Sequence, residues 1–317
     1  MLGRRHDVVA VATVTPYGTR TAALGTTLDS DFEIGSISKG VTGMLYHVAL
    51  ERGEVTPSTT LGEFLSLGRS PVAGVTLAAL AVHRSGLPRV QKAAQPWRRS
   101  WEMLRHGTNP FRETLPELLE QARAVPLGNP KPRYSNLGFE LLGHALAAAA
   151  GITYAQLVGG RVAEPLGLGT FYVATSPAAL RPTALPGRSR RGGPREAFPG
   201  EGVGPAGGIR SSVGDMAALA SALLGGSAPG VAALQPVEAF ARGMRIGAAW
   251  LEVGFRGRTV TWHNGGTGGF RSWMGLDREA GTAVVVLSAR SVSVDGAGMR
   301  LLAGLQDASR GGLVTLA

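Results

Sequence analysis

Residues 32–51 read FEIGSISKGVTGMLYHVALE, in which a strand-like segment leads directly into a segment with helical periodicity. Apolar residues recur there at steps of four and three: Ile37, Val41, Leu45 and Val48. This spacing marks one buried face and predicts a helix from about Ser36 to Glu51. Ser36 therefore lies in the first turn of the predicted helix.

Ser36-Ile37-Ser38-Lys39 is an S-x-x-K tetrad at the beginning of this helix. A spacing of three puts the serine hydroxyl and the lysine amine on one helical face, near enough for a hydrogen bond. A serine becomes nucleophilic when a base takes its proton, and a partly buried lysine is a suitable base. Free N–H groups at the helix N-terminus face the place where an oxyanion forms. The alternative interpretation is a helix-capping serine beside a surface lysine.

A second candidate motif is Tyr134-Ser135-Asn136, just before a predicted helix from Leu137 to Ala150. A cationic lysine beside a tyrosine favours the phenolate form of that tyrosine. Tyr134 is therefore a candidate base for the serine and a candidate acid for the leaving group. The Asn136 amide is suited to hold Lys39 and a substrate carbonyl by hydrogen bonds. The alternative for Tyr134 is an ordinary half-buried aromatic residue.

A third candidate motif, HNGGTGGF at residues 263–270, follows a predicted strand from Arg258 to His263. Glycines after a strand let a substrate backbone approach closely, and a backbone N–H there can face an oxyanion. His263 is a candidate for positioning or protonating the substrate. The stretch lacks the G-x-x-x-x-G-K-[ST] and G-x-G-x-x-G patterns of nucleotide-binding loops. The alternative is a glycine-rich hairpin beside a structural histidine.

The rest of the chain places strands at both ends and helices in the middle. The other predicted strands are Val8–Val14, Thr19–Thr26, Gly247–Phe255, Arg271–Asp277 and Thr282–Ala289, and the other predicted helices are Thr76–His83, Leu115–Ala124, Val213–Leu224 and Gly296–Ala308. Residues 181–208, rich in Pro, Gly and Arg, are predicted to form a loop. We therefore expect an α+β fold with an antiparallel sheet built from both termini, flanked by helices. The expected unit is a single domain over 1–317, with a sheet lobe at about 1–60 and 210–317 and an inserted helical lobe at about 61–209.

Composition excludes several classes of protein. The 317 residues are 44% hydrophobic and 17% charged, which is typical of an ordered chain. The net charge is +10, yet only three of the 32 basic residues are lysines and the arginines are scattered without a nucleic-acid motif, so we expect no nucleic-acid partner. The absence of cysteine excludes disulfides and thiolate chemistry, and the histidines show no metal-ligand spacing. We expect no metal and no cofactor.

The longest apolar runs, at residues 282–287 and 145–152, are far shorter than the roughly 20 residues that cross a bilayer, so no membrane partner is expected. Residues 1–14 superficially resemble an export signal. Pro16-Tyr17-Gly18 interrupts them, however, and a second strand follows, which favours a hairpin. A cytoplasmic location is the expectation, with a leader already removed as the alternative.

The three motifs, in this order, resemble the active-site signature of the serine β-lactamase and penicillin-binding-protein superfamily. The Tyr-x-Asn and His-x-Gly forms are similar to the class C branch, which also includes DD-peptidases, esterases and acyltransferases. Flanking stretches at residues 32–36, 83–88 (HRSGLP) and 205–212 (PAGGIRSS) extend the resemblance to about residues 7–308.

The resemblance implies a role for each motif residue. Ser36 is expected to form the acyl-enzyme, Lys39 and Tyr134 to share the role of base, and Asn136 to contact Lys39 and substrate. The N–H groups of Ser36 and Gly266 are the implied oxyanion hole, and Asn264 and Gly265 are implied to bind substrate. Which of Lys39 and Tyr134 is the base stays open.

His263 stands where β-lactamases and DD-peptidases usually have a lysine. A neutral imidazole is less suited to the carboxylate of a penicillin-like substrate, which favours esters, amides or acyl transfer. The absence of a clear export signal also disfavours cell-wall peptides. The leading hypothesis is therefore a serine hydrolase that acts on an ester or amide of a small molecule. The alternatives are an acyltransferase to a small amine or alcohol, a β-lactamase or DD-peptidase, or a catalytically silent binding module.

Two loops, at about residues 90–112 and 183–205, are expected to control the exclusion of water and therefore the choice between hydrolysis and acyl transfer. They carry Trp97, Arg98, Arg99, Trp101 and the cluster from Arg188 to Arg195. These side chains are suited to an aromatic or anionic substrate, or are simply solvated. The sequence leaves the oligomeric state open.

Overall fold

The computed structural model describes residues 6–89, 108–109 and 112–311 of the chain. The strands are β1 (Val9–Thr15), β2 (Gly18–Leu24), β3 (Phe32–Glu33), β4 (Tyr172–Val173), β5 (Gly187–Arg188), β6 (Pro194–Arg195), β7 (Ile209–Ser211), β8 (Glu238–Ala241), β9 (Met244–Ile246), β10 (Leu251–Phe255), β11 (Arg258–Gly266), β12 (Arg271–Asp277) and β13 (Thr282–Ser288). The helices are α1 (Ile37–Glu51), α2 (Leu77–Ala81), α3 (Leu115–Arg123), α4 (Asn136–Ala149), α5 (Tyr154–Val158), α6 (Gly204–Gly207), α7 (Val213–Leu224) and α8 (Asp295–Gly311).

The main sheet is antiparallel and runs in the order β2-β1-β13-β12-β11-β10-β9-β8. Strand β1 pairs with β13, with Val9 opposite Ser288. The first and the last long strands of the chain are therefore neighbours. The predicted α+β fold, with an antiparallel sheet built from both termini, is confirmed.

Strand β13 is buried along its whole length because helices cover both faces of the sheet. Val285 and Leu287 belong to the main core on the side of α7, whereas Val284 and Val286 pack with Trp273 and Leu302 on the side of α8. Alternate side chains of a strand point to opposite faces, so a strand with two buried faces needs a continuous apolar run. The sequence of β13, TAVVVLS, meets that requirement.

Helix α1 carries the S-x-x-K tetrad into the middle of the molecule. It packs against α4 and α6 on the helical side and against β11 on the sheet side. Most of its residues are buried for that reason. The tetrad therefore lies where the helical part of the chain meets the sheet.

A small sheet of order β3-β7-β4 supports the entry into α1, and Arg210 on β7 ties it together. The buried Arg210 guanidinium donates to carboxylate oxygens of Asp31 and Glu33, to the Asp31 carbonyl at 3.0 Å and to the Leu185 carbonyl at 3.1 Å. Burial raises the pKa of Glu33, while the charge of Arg210 opposes this rise. The residues just before Ser36 are thus fixed by a buried ionic cluster.

Three local features differ from the sequence prediction. The hairpin of β8 and β9 is absent from the prediction, since strands of four and three residues give too few alternations to detect. The predicted strand from Gly247 begins only at Leu251, because a turn with Ala249 at φ 67° precedes it. The predicted loop over residues 181–208 contains the β5–β6 hairpin and helix α6.

Within the described part of the chain, no single helix is both long and apolar enough to cross a membrane. Helix α4 and the segment Tyr154–Ala163 meet that criterion only together, as a pair bent by 80°. A cavity of about 670 Å³ lies between α4, α5 and residues 112–115. It is separate from the tetrad, since Ser36 and Lys39 do not line it.

Candidate active site

Ser36 is the residue before the first turn of α1 and lies next to the Lys39 side chain. The Lys39 Nζ donates a hydrogen bond of 3.1 Å to the Ser36 Oγ. The spacing of three residues produces this contact, because residues i and i+3 share a helical face. The structure therefore brings together the two tetrad side chains that the sequence paired.

Lys39 is fully buried, and its amine is surrounded by neutral groups. Besides the Ser36 hydroxyl, the Nζ donates to the Ala206 carbonyl of α6 and lies 4.9 Å from the centre of the Tyr134 ring. Among the described residues, no carboxylate forms an ion pair with it. The Ala206 carbonyl is a site contact that the sequence analysis missed, since a backbone acceptor leaves no side-chain signal.

Tyr134 covers Lys39 with the face of its half-buried ring. The imidazole of His83 packs against the Tyr134 ring, with the ring centres 4.6 Å apart. Asn136 follows as the first residue of α4, and its backbone N–H donates to the Arg89 carbonyl at 2.8 Å. Among the described residues, the Asn136 side chain makes no hydrogen bond with Lys39, so that part of its role stays a prediction.

His263 lies near Lys39 on the inner face of β11 and is almost fully buried. Its Nδ1–H donates to the Asn264 carbonyl at 2.7 Å, which leaves the lone pair on Nε2. Burial, together with the nearby charge of Lys39, lowers the pKa of His263 to about 4. The imidazole is neutral at pH 7 for that reason, as expected from the sequence. His263 thus adds no positive charge to the site.

The end of β11 docks closely against the turn before Ser36, and only glycine fits there. A Cβ on Gly265 would lie 2.0 Å from the Ile34 carbonyl oxygen, and a Cβ on Gly35, whose φ is +52°, would lie 2.5 Å from the Gly266 nitrogen. The Ser272 hydroxyl donates to the same Ile34 carbonyl at 2.7 Å. This close contact places the Gly266 nitrogen beside the residue that precedes Ser36, and an oxyanion hole formed by the N–H groups of Ser36 and Gly266 stays a prediction.

Asn264 occupies a different position from the one expected of a substrate-binding side chain. Consecutive residues of a strand face opposite sides, so Asn264 points away from His263. Its Nδ2 donates to Asp295 Oδ2 of α8 at 3.1 Å. The Asn264 side chain is thus directed toward α8, and a role of Asn264 in substrate binding stays a prediction.

The sequence analysis did not identify two further ionisable residues near the site. Arg271 donates to the carbonyls of Thr267 and Phe270 at 2.7 and 2.8 Å, which fixes the loop after Gly266. Glu140, one turn along α4 from Asn136, is buried, and neither carboxyl oxygen has a hydrogen-bond partner among the described residues. Burial raises the pKa of Glu140 to about 8, and the charge of Lys39 opposes this rise. A single glutamate in an apolar helix gives no sequence signal for such a position.

Of the two loops predicted at about residues 90–112 and 183–205, the structure describes only the second in full. Trp97, Arg98, Arg99 and Trp101 lie outside the described residues. The hairpin of β5 and β6 lies beside the third motif, because the Arg188 N–H donates to the Gly269 carbonyl at 3.2 Å. Within the described ranges, no group of three or more His, Asp or Glu residues is arranged to hold a metal ion.

Fold and site together define the architecture of a serine hydrolase of the β-lactamase and DD-carboxypeptidase type. The chain belongs to the Beta-lactamase family, whose family model matches residues 3–308. The resemblance seen in the three motifs is thereby confirmed.

Solved structures with the same fold include a class C β-lactamase from Rhodobacter sphaeroides (TM-score 0.76, 23% identity, covering 90% of each chain). Another is a β-lactamase/D-alanine carboxypeptidase from Pseudomonas syringae (TM-score 0.77, 17% identity, covering 90% of each chain). At these identities the similarity shows the fold alone.

Curated relatives match over shorter segments. The D-alanyl-D-alanine-carboxypeptidase/endopeptidase AmpH of Escherichia coli K12 is 32% identical over 158 residues, which are 49% of this chain and 40% of AmpH. The putative beta-lactamase-like 1 of Homo sapiens is 31% identical over 206 residues, 62% of this chain and 39% of that protein. The matched segments thus span about 40% of these relatives.

Proposed function

We propose that this protein is a serine hydrolase that cleaves an ester or amide of a small molecule through an acyl-enzyme on Ser36. The observation that carries the proposal is the buried Lys39 amine hydrogen-bonded at 3.1 Å to the Ser36 hydroxyl beneath the Tyr134 ring. A buried amine on a serine hydroxyl, with a tyrosine ring over that amine, supplies groups that can take up the proton of the hydroxyl.

In the proposed first step, the Ser36 Oγ bonds to the substrate carbonyl carbon as its proton passes to the Lys39 and Tyr134 pair, which accepts it as either a neutral amine or a phenolate. The oxyanion that forms is held by the N–H groups of Ser36 and Gly266. The bond to the leaving group then breaks, and the alcohol or amine leaves with the proton from Ser36. One oxyanion-hole donor typically contributes about 3 kcal/mol to such a step.

In the second step, water adds to the acyl carbon, gives up a proton to the same pair and releases the acid and free Ser36. A small amine or alcohol in place of water makes the same chemistry an acyl transfer. Both outcomes share every residue of the site, so the acceptor that reaches the acyl-enzyme decides between them.

The electrostatics of the third motif support uncharged acyl groups. With the pKa of His263 lowered to about 4, this residue offers no cation for a substrate carboxylate at pH 7. Penicillin-like substrates carry such a carboxylate. We therefore place neutral esters and amides ahead of β-lactams.

The similarity to AmpH supports a second candidate, cleavage of a D-alanyl-D-alanine amide. That bond requires the same acyl-enzyme chemistry but a substrate with a free carboxylate. Arginines beside the third motif, including Arg188 on β5, supply positive charge that suits a substrate with a free carboxylate.

The first test is intact mass after incubation with a fluorophosphonate, for the natural sequence and for Ser36→Ala. The expected result is a single adduct that Ser36→Ala abolishes, together with turnover of p-nitrophenyl acetate lost in the same variant. A panel of p-nitrophenyl acetate, nitrocefin and a D-alanyl-D-alanine peptide then ranks the substrate classes. Absence of both adduct and turnover in the folded protein contradicts the proposal and favours a silent binding module.

A further inference from the structure

His83 holds the segment that carries Tyr134 from both sides. The His83 carbonyl accepts a hydrogen bond of 2.9 Å from the Arg133 N–H, and its Nδ1 accepts one of 3.2 Å from the Ser135 N–H. The residues before and after Tyr134 are therefore both bound to this one histidine. His83 adopts a φ of 57°, which turns the chain so that its backbone and its ring reach the same segment.

The His83 ring also supports the Tyr134 ring directly. The centres of the two rings are 4.6 Å apart. The ring centre of Phe139, a residue of α4, lies 4.7 Å from that of His83. Only 2% of His83 is exposed, so this packing leaves the ring little freedom. The packed His83 ring thus restricts the orientation of the Tyr134 ring that Lys39 contacts.

The hydrogen bond from Ser135 determines the tautomer of His83. An acceptor Nδ1 carries the lone pair, so the proton of the neutral ring is on Nε2. Burial, with the charge of Lys39 nearby, holds the pKa of His83 well below its usual value. The ring is therefore neutral at pH 7, and Nδ1 keeps its lone pair.

We infer that His83 is a positioning residue for Tyr134, acting through the Ser135 N–H and through ring contact. This inference rests on the proposed function, since it concerns the same proton transfer. Packing alone is satisfied by any flat apolar ring, whereas the fully buried Ser135 N–H needs an acceptor. Displacement of Tyr134 by about 1 Å is enough to slow acylation on the order of 100-fold.

The test compares acylation by the fluorophosphonate and turnover of p-nitrophenyl acetate in two variants. His83→Phe keeps a ring and removes the acceptor. His83→Asn removes the ring but places its Oδ1 where Nδ1 was, and asparagine tolerates a positive φ. We expect His83→Phe to lower kcat about 100-fold with little change in KM, and His83→Asn to recover about 10-fold of that loss.

A double-mutant cycle with Tyr134→Phe separates positioning from general structure. If His83 acts through Tyr134, His83→Phe has less than about a threefold effect in the Tyr134→Phe background. Phe240→Leu is the matched control, because the ring centre of Phe240 lies 6.0 Å from that of His83 and Phe240 is not among the proposed site residues. Its kcat is expected to stay near that of the natural sequence.

Each outcome has one interpretation. A kcat for His83→Phe near that of the natural sequence overturns the inference, and so does an equally large loss in the Tyr134→Phe background. Should His83→Phe fail to fold, judged by circular dichroism, the same cycle is run with His83→Asn and the same criterion applies. Failure of the natural sequence to form the Ser36 adduct overturns the proposed function and this inference together.

Discussion

The amine of Lys39 is surrounded by groups that carry no charge at pH 7. Ser36 and Ala206 accept its hydrogen bonds, and Tyr134 presents a ring face. Three titratable groups feel its charge: Glu140, His263 and His83. All three are neutral at this pH, because burial shifts the pKa of Glu140 to about 8 and that of His263 to about 4 and holds the pKa of His83 well below its usual value. A proton leaving Ser36 is therefore not captured by a neighbouring carboxylate, and the Ser36, Lys39 and Tyr134 set remains the path for proton transfer.

Glu140 leads to a prediction about stability and pH. Its pKa in the folded protein, about 8, lies above the usual 4.5, so the folded state binds an extra proton between these values. Its contribution to stability is present below about pH 4.5 and is lost as the pH rises through 8. The side chain in Glu140→Gln is neutral at every pH. As the pH rises from 5 to 8, we therefore expect this variant to lose less unfolding free energy than the natural sequence, by on the order of 3 kcal/mol.

Urea unfolding at several pH values measures this difference. Glu120→Gln is the matched control, because the Glu120 side chain is 75% exposed, and its pH dependence is expected to follow the natural sequence. Equal pH dependence in Glu140→Gln and Glu120→Gln would show that Glu140 is ionised in the folded protein.

His263 leads to the opposite dependence. Its pKa falls from 6.5 to about 4 on folding, so the unfolded chain binds the proton more readily between these values. The associated stability is present above pH 6.5 and is lost as the pH falls through 4. In His263→Gln we expect the loss of unfolding free energy between pH 6.5 and 4.5 to shrink by on the order of 2 kcal/mol, measured by urea unfolding. An unchanged loss in this variant contradicts the lowered pKa.

Among the structural elements, the small sheet that precedes α1 depends on the Arg210 cluster. Removing one partner of a buried ion pair leaves an uncompensated charge, which typically costs about 3–5 kcal/mol. We expect Arg210→Ala to lower the unfolding free energy by that amount, since Asp31 and Glu33 lose their buried partner. Chemical denaturation provides the measurement. Arg52→Ala is the control, because the Arg52 side chain is 60% exposed and its pair with Glu54 is expected to contribute less than about 1 kcal/mol. Similar losses in both variants would contradict the importance of the cluster.

The positions of the long helices and strands were predictable from the sequence, whereas the contacts between elements distant in the sequence were not. The periodicity of α7 and the apolar run of β13 give their positions to within a residue. Ser36 and Lys39 come together because they share one helix, so their spacing was sufficient. By contrast, the Ala206 carbonyl and the buried Glu140 depend on how α6 and α4 pack around Lys39. The hydrogen bond of Asn264 to Asp295 depends on α8, which lies 31 residues away in the sequence.

At the scale of the whole molecule, the site joins parts of the chain that are far apart in the sequence. Ser36 follows β3, the Gly266 N–H comes from β11, and Tyr134 precedes α4. The sheet beneath them is closed by the pairing of β1 with β13 across nearly the full sequence. Opening between β1 and β13 therefore separates the first strand from the last and disrupts the core on both faces.

This arrangement predicts how amide hydrogen exchange is distributed along the chain. Amides of β1 and β13 at the sheet interior should exchange only through global unfolding, because both strands pair on two sides. Amides of β8 and β9 should exchange faster through local opening, since β8 is the edge strand and the hairpin is short and partly exposed. Mass spectrometry of peptides covering residues 9–15, 282–288 and 238–246 measures the three rates. Adding Arg210→Ala should accelerate exchange in the first two peptides by the same factor, because both report the global free energy. Different factors for β1 and β13 would mean that the two ends of the chain open separately.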